Sequence, residues 1–395
     1  MTEHSTPKNI VVIGGGYAGT VAANRLLLRG DLDITLVNPR PTFVDRIRLH
    51  QFVAGTGGAP VEFGPLLGAG VRLVVDSATR IDTTARTVEL ASGAALAYDY
   101  VVYAVGSTGA IPASVPGAAE FARSVAEFEF ARRLRADLDE LPADAPVVVV
   151  GGGLTGIETA AELAERGRAV TLVSGETLAP TFGPPARRSI TRWLARHDVT
   201  VIEGDAVTEV LSDAVVLADG GPRPSALTIW TTGFGVPELA RASGLRTDSL
   251  GRLLTDETLT SVDDDRVVAA GDAAAPSGQP LRMSCQAAGP LGAQAADTVL
   301  SRLAGTEPAA INLALTGACV SLGRHSGIRQ LAHKDDVSMN AYLGGRIGAA
   351  VKELTCKLGV VKIRREARKP GSLIWIKGGP RPQPTAAETH GVPSR

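Results

Sequence analysis

The chain is 395 residues long, 44% apolar and 21% charged, with a formal net charge of −1. That length holds two or three packed domains, and the near-neutral balance excludes a broad electrostatic footprint for nucleic acid. Three tryptophans and five tyrosines are too few for a stacking platform along a single strand. The three cysteines, Cys285, Cys319 and Cys356, are odd in number and far apart, which points to a reducing compartment. No secretory leader is read before the first strand and no run of about 18 apolar residues occurs, so a cytoplasmic location is expected.

Residues 9–38 read as strand, glycine-rich turn, helix and strand. The apolar run Ile10–Ile13 leads into Gly14-Gly15-Gly16-Tyr17-Ala18-Gly19. Ala22, Ala23, Leu26 and Leu27 then give the helix an apolar face, Gly30 closes it, and Ile34–Val37 forms the next strand. Residues 71–105 are β-rich, with strands at Val71–Val75, Thr87–Leu90 and Tyr100–Ala104 around the turn Ala91–Ala94. A helical connector over 116–145 ends in the Pro-Ala-Asp-Ala-Pro stretch at 142–146. Val147–Val150 then leads into Gly151-Gly152-Gly153-Leu154-Thr155-Gly156 and a helix Ile157–Arg166 closed by Gly167. Strands follow at Val199–Glu203, Ala214–Leu217 and Leu227–Thr231. Residues 251–305 return to the first unit, 306–378 form a smaller third unit, and 379–395, with four prolines, read as a disordered tail.

The two glycine motifs lie 137 positions apart, each between a buried strand and a helix. In Gly-x-Gly-x-x-Gly the first glycine (Gly14, Gly151) allows a tight turn. The second (Gly16, Gly153) lets the backbone approach a pyrophosphate, and the third (Gly19, Gly156) lets helix and strand pack closely. The helix N-terminus offers free N–H groups and the positive end of its dipole to phosphates. Two such motifs predict two dinucleotides, and an α/β architecture of two Rossmann-like domains plus a small C-terminal domain. Residues 1–115 with 251–305 form a discontinuous first domain, and 116–250 the second.

Two further segments resemble the accessory motifs of the two-dinucleotide-binding-domain flavoproteins, the pyridine nucleotide-disulfide oxidoreductase superfamily. They are Tyr98–Ser107, which includes Ala104 and Gly106, and Arg266–Ala274, which includes Gly271 and Asp272. The resemblance covers residues 9–305. It implies FAD on the first fingerprint (with Tyr17 and Ala18 beside its glycines) and NADH or NADPH on the second, with Asp272 accepting hydrogen bonds from the ribityl chain. Residues 20–70 contain no cysteine, so no dithiol relay of the disulfide-reductase kind is available. The extra histidine motif of the monooxygenase branch is also missing. What remains resembles type II NADH dehydrogenases and the related ferroptosis-suppressor and apoptosis-inducing-factor-like flavoproteins.

That resemblance assigns roles residue by residue. Glu158 matches a Gly-x-Glu position beside nicotinamide and flavin, although a carboxylate on a first helical turn is also simply favourable with the dipole. Ser284–Gly292 aligns with a glutamine-rich segment beside the flavin, so Gln286 is expected to contact the acceptor or to hold the local structure. Pro290 and Leu291 stand where the other glutamines would be, so a quinone site is either altered or absent. The acidic residue expected about 20 positions past each fingerprint is Asn38 after the first and Ser174 after the second, which leaves the NADH or NADPH choice open. Gly233 belongs to a loop resembling the one that closes the nicotinamide pocket. Among Arg46, Arg48 and His50, Arg48 is assigned to the FAD pyrophosphate. No metal site is expected.

The C-terminal unit reads as a basic amphipathic helix. Leu343, Ile347, Val351, Leu354, Leu358 and Val361 recur every three or four residues, and Tyr342–Gly379 holds nine Lys or Arg against two Glu. Such a helix lies on an anionic membrane surface, packs on the protein's own core, or forms a homodimer interface. The expected function is an FAD-dependent NAD(P)H oxidoreductase passing electrons to a quinone-like acceptor. The alternatives are a soluble oxidoreductase acting on another small molecule or redox partner protein, and a flavin-containing redox-sensing binding protein.

Overall fold

The computed structural model describes residues 7–381. Strand β1 (Lys8–Ile13) turns through the first fingerprint into helix α1 (Tyr17–Leu26) and returns as β2 (Leu32–Asn38). A short helix α2 (Leu49–Ala54) precedes β3 (Val71–Val75) and β4 (Tyr100–Tyr103). The second unit repeats this plan: β5 (Ala122–Ser124), β6 (Pro146–Val150), the second fingerprint, helix α3 (Leu154–Glu165), β7 (Ala169–Ser174), β8 (Thr200–Glu203) and β9 (Leu227–Trp230). Strand β10 (Val267–Ala269) and helix α4 (Cys285–Leu303) follow, then β11 (Gly317–Leu322), β12 (Ser326–Ala332), β13 (Ser338–Gly344) and helix α5 (Gly345–Arg368).

Each of the first two units is built on a five-stranded parallel sheet with its fingerprint strand at the centre, the Rossmann-like arrangement. The strand order is β10-β4-β1-β2-β3 in one and β5-β9-β6-β7-β8 in the other. A central parallel strand is covered on both faces, which is why Ile10–Ile13 and Val147–Val150 are continuous apolar runs rather than alternating ones. The fifth strand of the first sheet comes from far downstream, with Val267–Ala269 beside Val101–Tyr103. The 116–145 segment is more than a helical connector, since β5 within it is the edge strand of the second sheet.

Helix α4 covers the first sheet by lying against α1. Gly292 makes the approach possible, because a Cβ there would stand 2.1 Å from the Ala18 carbonyl oxygen. The third unit is an antiparallel sheet, β11-β12-β13, whose strands the sequence pattern does not announce. Its Val320, Leu322 and Ile328 share one core with Ile157, Leu172 and Ile229 of the second unit. At about 1.5–3 kcal/mol per fully buried side chain of this kind, that shared core anchors the third unit.

Helix α5 forms as the periodicity predicts, but the predicted apolar stripe does not face the protein. Leu343, Ile347, Leu354, Leu358 and Val361 are exposed, Ile347 to 65% and Leu354 to 55%. The buried face carries Gly348, Lys352, Cys356, Ile363 and Glu366. Its charges have partners inside. Lys352 Nζ lies 2.7 Å from Glu158, and Glu366 accepts from the Gly371 and Leu373 N–H groups at 2.8 and 2.6 Å. Of the expected tail, residues 382–395 lie outside the described residues. Gly379 N–H donates to Asn312 and Arg381 pairs with Glu257 at 3.2 Å, so the first part of that segment is fixed.

The α1–α4 contact gives a test. Gly292→Ala should destabilise by about 1–3 kcal/mol, because overpacking against backbone outweighs the gain in helix propensity. Gly289→Ala, three positions earlier with open space around its Cβ, should instead stabilise by roughly 0.5–1 kcal/mol. Urea denaturation of both variants reads the contrast, and equal shifts would contradict this packing.

Candidate active site

A cavity of about 720 Å³ runs between the units, lined by both fingerprints and by residues of the third unit. The first turn is built as its glycines require. Gly14 sits at φ +101°, and a Cβ there would be 2.3 Å from the Ala104 carbonyl oxygen. A Cβ on Gly19 would meet the Gly14 carbonyl at 1.8 Å, whereas Gly16 faces open space. The second turn repeats the pattern. Gly151 is at φ +124°, a Cβ on Gly156 would meet the Gly151 carbonyl at 1.9 Å, and Gly153 is open. Neither α1 nor α3 has a side-chain cap or an acid in its first turn. Two uncapped helix N-termini with backbone free to approach fit two pyrophosphates.

The accessory motifs meet in the same wall. Ser107, next to Gly106, donates to Asp272 at 2.8 Å, and the Ser284 N–H at the start of α4 donates to its other oxygen at 3.2 Å. Tyr17, Ala18, Ala104, Gly106, Gly233 and Gly271 also line the cavity. Asn38 lies on the wall with its amide engaged: Oδ1 accepts from the Gly15 N–H at 2.9 Å and Nδ2 donates to the Arg40 carbonyl at 2.7 Å. It therefore pins the fingerprint loop to the end of β2. Gln286 also lines the cavity; with its amide oriented as the neighbouring groups require, nitrogen toward the Gly317 carbonyl, it donates to that carbonyl (3.0 Å) and accepts from the Thr316 N–H (3.3 Å). Four residues on, Pro290 has no N–H for the Gln286 carbonyl, which leaves that oxygen without its helical partner.

Two sequence-based assignments are corrected. Arg48 does not reach the cavity; it binds Glu353 at 2.9 Å and Asp45 at 3.3 Å. Residues 46–48 form a 3₁₀ turn in which positions two apart point different ways. Arg46 is the one on the wall, donating to the Ser107 and Ala126 carbonyls at 2.6 and 2.9 Å. Ser174 is buried behind Gly152, not on the cavity wall, and its hydroxyl donates to the Glu176 carbonyl at 2.7 Å.

Glu158 stands on the second turn of α3, not the first as its spacing from the fingerprint suggests, and lies in the cavity wall within a buried polar cluster. Lys352 Nζ is 2.7 Å from its Oε1, the Ser321 N–H donates to the same oxygen at 2.9 Å, and His50 Nδ1 is 3.6 Å from Oε2. Burial pushes the carboxyl pKa up, but Lys352, His50 and the Ser321 N–H together hold it below the ordinary glutamate value. Burial also pushes Lys352 toward its neutral form, and Glu158 reverses this and raises it above the usual lysine value. For His50 burial prevails over the pull of Glu158 and lowers the pKa to about 4.

The sequence gives no sign that Lys352 reaches Glu158 across nearly 200 positions. Nor does it reveal that Cys285, Cys319 and Cys356, from α4, β11 and α5, all line this cavity. Burial raises Cys285 and takes Cys356 to about 12, so both remain thiols.

His50 predicts a pH effect. Its folded pKa lies below the unfolded value, so stability is complete above pH 6.5 and falls as the pH drops toward about 4, where the unfolded chain alone takes the proton. His50→Gln should flatten that part of the profile. Urea midpoints between pH 4 and 7 measure it, and an unchanged slope would contradict the buried neutral ring.

Comparison with known proteins agrees with this geometry. Residues 8–292 match the family model of the pyridine nucleotide-disulphide oxidoreductases. An NADH dehydrogenase-like protein of Mycobacterium tuberculosis is 35% identical over 325 residues, covering 74% of this chain and 80% of that one. A type II NADH:quinone oxidoreductase of Staphylococcus haemolyticus is 25% identical over 405 residues, 90% and 96% of the two chains. The crystal structure of the sulfide:quinone oxidoreductase of Aquifex aeolicus superposes with a TM-score of 0.77 at 22% identity, covering 92% of this chain and 93% of that one. Paired fingerprints opening on one cavity and a family match across both place the chain in the pyridine nucleotide-disulphide oxidoreductase family, as an FAD-dependent NAD(P)H oxidoreductase.

Proposed function

We propose that this enzyme passes electrons from NAD(P)H to a quinone, as a type II NADH:quinone oxidoreductase does. The observation that carries the reading is the Glu158–Lys352 pair in the wall of a cavity that both fingerprints share. Quinone reduction adds protons as well as electrons, and an ammonium 2.7 Å from a carboxylate at the cavity wall holds a proton where an acceptor is reduced. The curated relative of Staphylococcus haemolyticus, matched along nearly its whole length, supports the same acceptor class.

In this reading the unit of β1 to β4 and β10 holds FAD, through Gly14, Gly16, Ala104, Gly106, Gly271 and Asp272, and the unit around α3 holds NAD(P)H through Gly151, Gly153 and Gly233. When bound, FAD would supply the hydride-accepting and two-electron-donating chemistry between NAD(P)H and the acceptor. Asp272, fixed by Ser107 and the Ser284 N–H, orients the flavin-side wall. The Gln286 side chain, tied to Gly317 and Thr316, holds the first turn of α4 against the third unit. Glu158 and Lys352 keep and transfer the proton.

The exposed stripe on α5 fits a lipid-soluble acceptor. Ile347, Leu354, Leu358 and Val361 are flanked by the exposed cations Arg346, Lys357, Lys362, Arg364 and Arg365. An apolar stripe with basic flanks is the chemistry of a helix lying on an anionic bilayer. Among the described residues no helix is long and apolar enough to cross a membrane, so the contact would be peripheral.

Two measurements test the reading. Purified protein should be yellow, bleach anaerobically with NADH or NADPH, and recover its colour with menadione. In Glu158→Gln, turnover with menadione should fall by about 10- to 100-fold, and a bleached protein that menadione leaves unchanged would overturn the quinone assignment. For the membrane contact, Leu354→Glu with Leu358→Glu should abolish flotation with liposomes containing anionic lipid. Flotation equal to that of the unaltered protein would refute it.

A further inference from the structure

Beyond the main cavity, a second cleft of about 300 Å³ opens between the β11–β12 turn and α5, walled by Gln51, Ser321, Arg324, Arg346, Ala350 and Lys352. His325, Arg346 and Ala350 are exposed at its mouth. Lys352 lines both spaces, so one side chain separates solvent from the cavity at this point. Ser321, the other direct donor to Glu158, stands at the inner end of the cleft, and its hydroxyl lies 3.3 Å from both Glu158 Oε1 and His50 Nε2.

One helical turn along α3 from Glu158 is Glu162, fully buried. Its Oε2 accepts from Thr56 at 2.6 Å, while its Oε1 has no hydrogen-bond partner and only the Arg324 guanidinium 3.6 Å away. A buried carboxylate oxygen without a donor is costly and rare. The groups facing it are Thr56 after α2, Arg324 of the β11–β12 turn, and Glu158 and Glu165 on its own helix. Arg324 reaches back to Glu353 as well, at 3.7 Å. Burial first, with Glu158 and Glu165 adding to it, pushes the Glu162 carboxyl above the ordinary value in spite of Thr56 and Arg324, which suits a group that retains a proton.

We propose that this cleft is the proton-uptake port of the flavin cavity, with solvent protons reaching the Glu158–Lys352 pair past Ser321, and Glu162 holding a proton behind it. The inference rests on the quinone reading. The balance is NAD(P)H + H⁺ + quinone giving NAD(P)⁺ + quinol: two electrons and one hydrogen come from the nicotinamide, and one proton must come from water. Glu158, Lys352 and His50 are all buried, so that proton needs a route, and the cleft is where solvent comes within one side chain of the pair. Glu162 touches neither cofactor nor acceptor in this scheme; it acts through Glu158, its i,i+4 neighbour.

The test uses full-length, FAD-loaded protein and two acceptors under anaerobic conditions. Menadione takes up a proton on two-electron reduction, whereas ferricyanide takes electrons alone and the overall reaction releases a proton. Ala350→Trp fills the mouth of the cleft from an exposed position. It should lower menadione turnover by about tenfold and enlarge its solvent deuterium isotope effect, with ferricyanide turnover held within about twofold. Glu162→Gln, which keeps the shape of the side chain but carries no proton, should move the alkaline limb of the menadione profile to lower pH, and Glu162→Asp should restore it. An Ala350→Trp protein whose menadione and ferricyanide rates stay in the unaltered ratio overturns the port. An unshifted pH profile in Glu162→Gln overturns the role of Glu162. Unaltered protein that reduces ferricyanide but not menadione overturns the quinone reading, and the port with it.

Discussion

The Glu158–Lys352 pair is the interaction on which the rest of this architecture depends. Taking an ammonium and a carboxylate out of water costs several kcal/mol per ion, and only close, well-bonded geometry offsets it. Here the two charges are 2.7 Å apart and the carboxylate accepts further bonds from β11. One partner belongs to the helix of the second fingerprint and the other to the C-terminal helix, more than 190 positions later. The pair fixes which face of α5 turns inward. Once Lys352 is inside, Gly348 and Cys356 follow on the same face, and the apolar stripe must turn out. Loss of either partner alone would leave an uncompensated buried charge, so this part of the cavity wall and the seat of the third unit depend on the same pair.

The two fingerprint units show one solution used twice. In each, a central parallel strand is followed by a glycine at positive φ, a second glycine open to the cavity, and a third whose missing Cβ admits a carbonyl oxygen closer than 2 Å. Each helix starts without a cap of its own, which leaves N–H groups and dipole directed at the shared cavity. The units differ in what supports the turn. Asn38 ties the first loop down through the Gly15 N–H, while in the second the Ser174 hydroxyl turns back to its own chain behind Gly152. Both fingerprint turns thus open on one cavity whose remaining wall, supplied by β11 and α5, carries the buried charges.

Where a residue's role follows from its neighbours in the chain, the sequence announced it. The strand–turn–helix units, the helical character of 345–368 and the cavity positions of Gly16 and Gly153 rest on local rules of backbone geometry and periodicity, whereas Gly271 and Asp272 were expected there from the resemblance of their segment to a family motif. Arg48 was misjudged because three arginine and histidine side chains within five positions look equivalent until the 3₁₀ turn aims Arg46 at the cavity and Arg48 at Glu353. Which side the α5 stripe faces was open from the sequence, since periodicity locates an apolar face and is silent on which side the protein occupies; its exposure rules out packing on the protein's own core. The strands β11 to β13 were not foreseen, because only two of them contribute to a core and the third is largely exposed.

By itself the sequence determined the two dinucleotide folds, because a glycine that alone can hold φ above +100° or admit a carbonyl against its Cα leaves few alternatives for the chain around it; the cofactors followed from the resemblance of four motifs in order to one family. Only the tertiary structure decided the buried polar cluster beside the shared cavity. Glu158, Lys352, Ser321, His50 and the three cysteines come from segments far apart in the chain, and nothing in their spacing says that they meet. They meet because buried charges require partners and the third unit shares a core with the second.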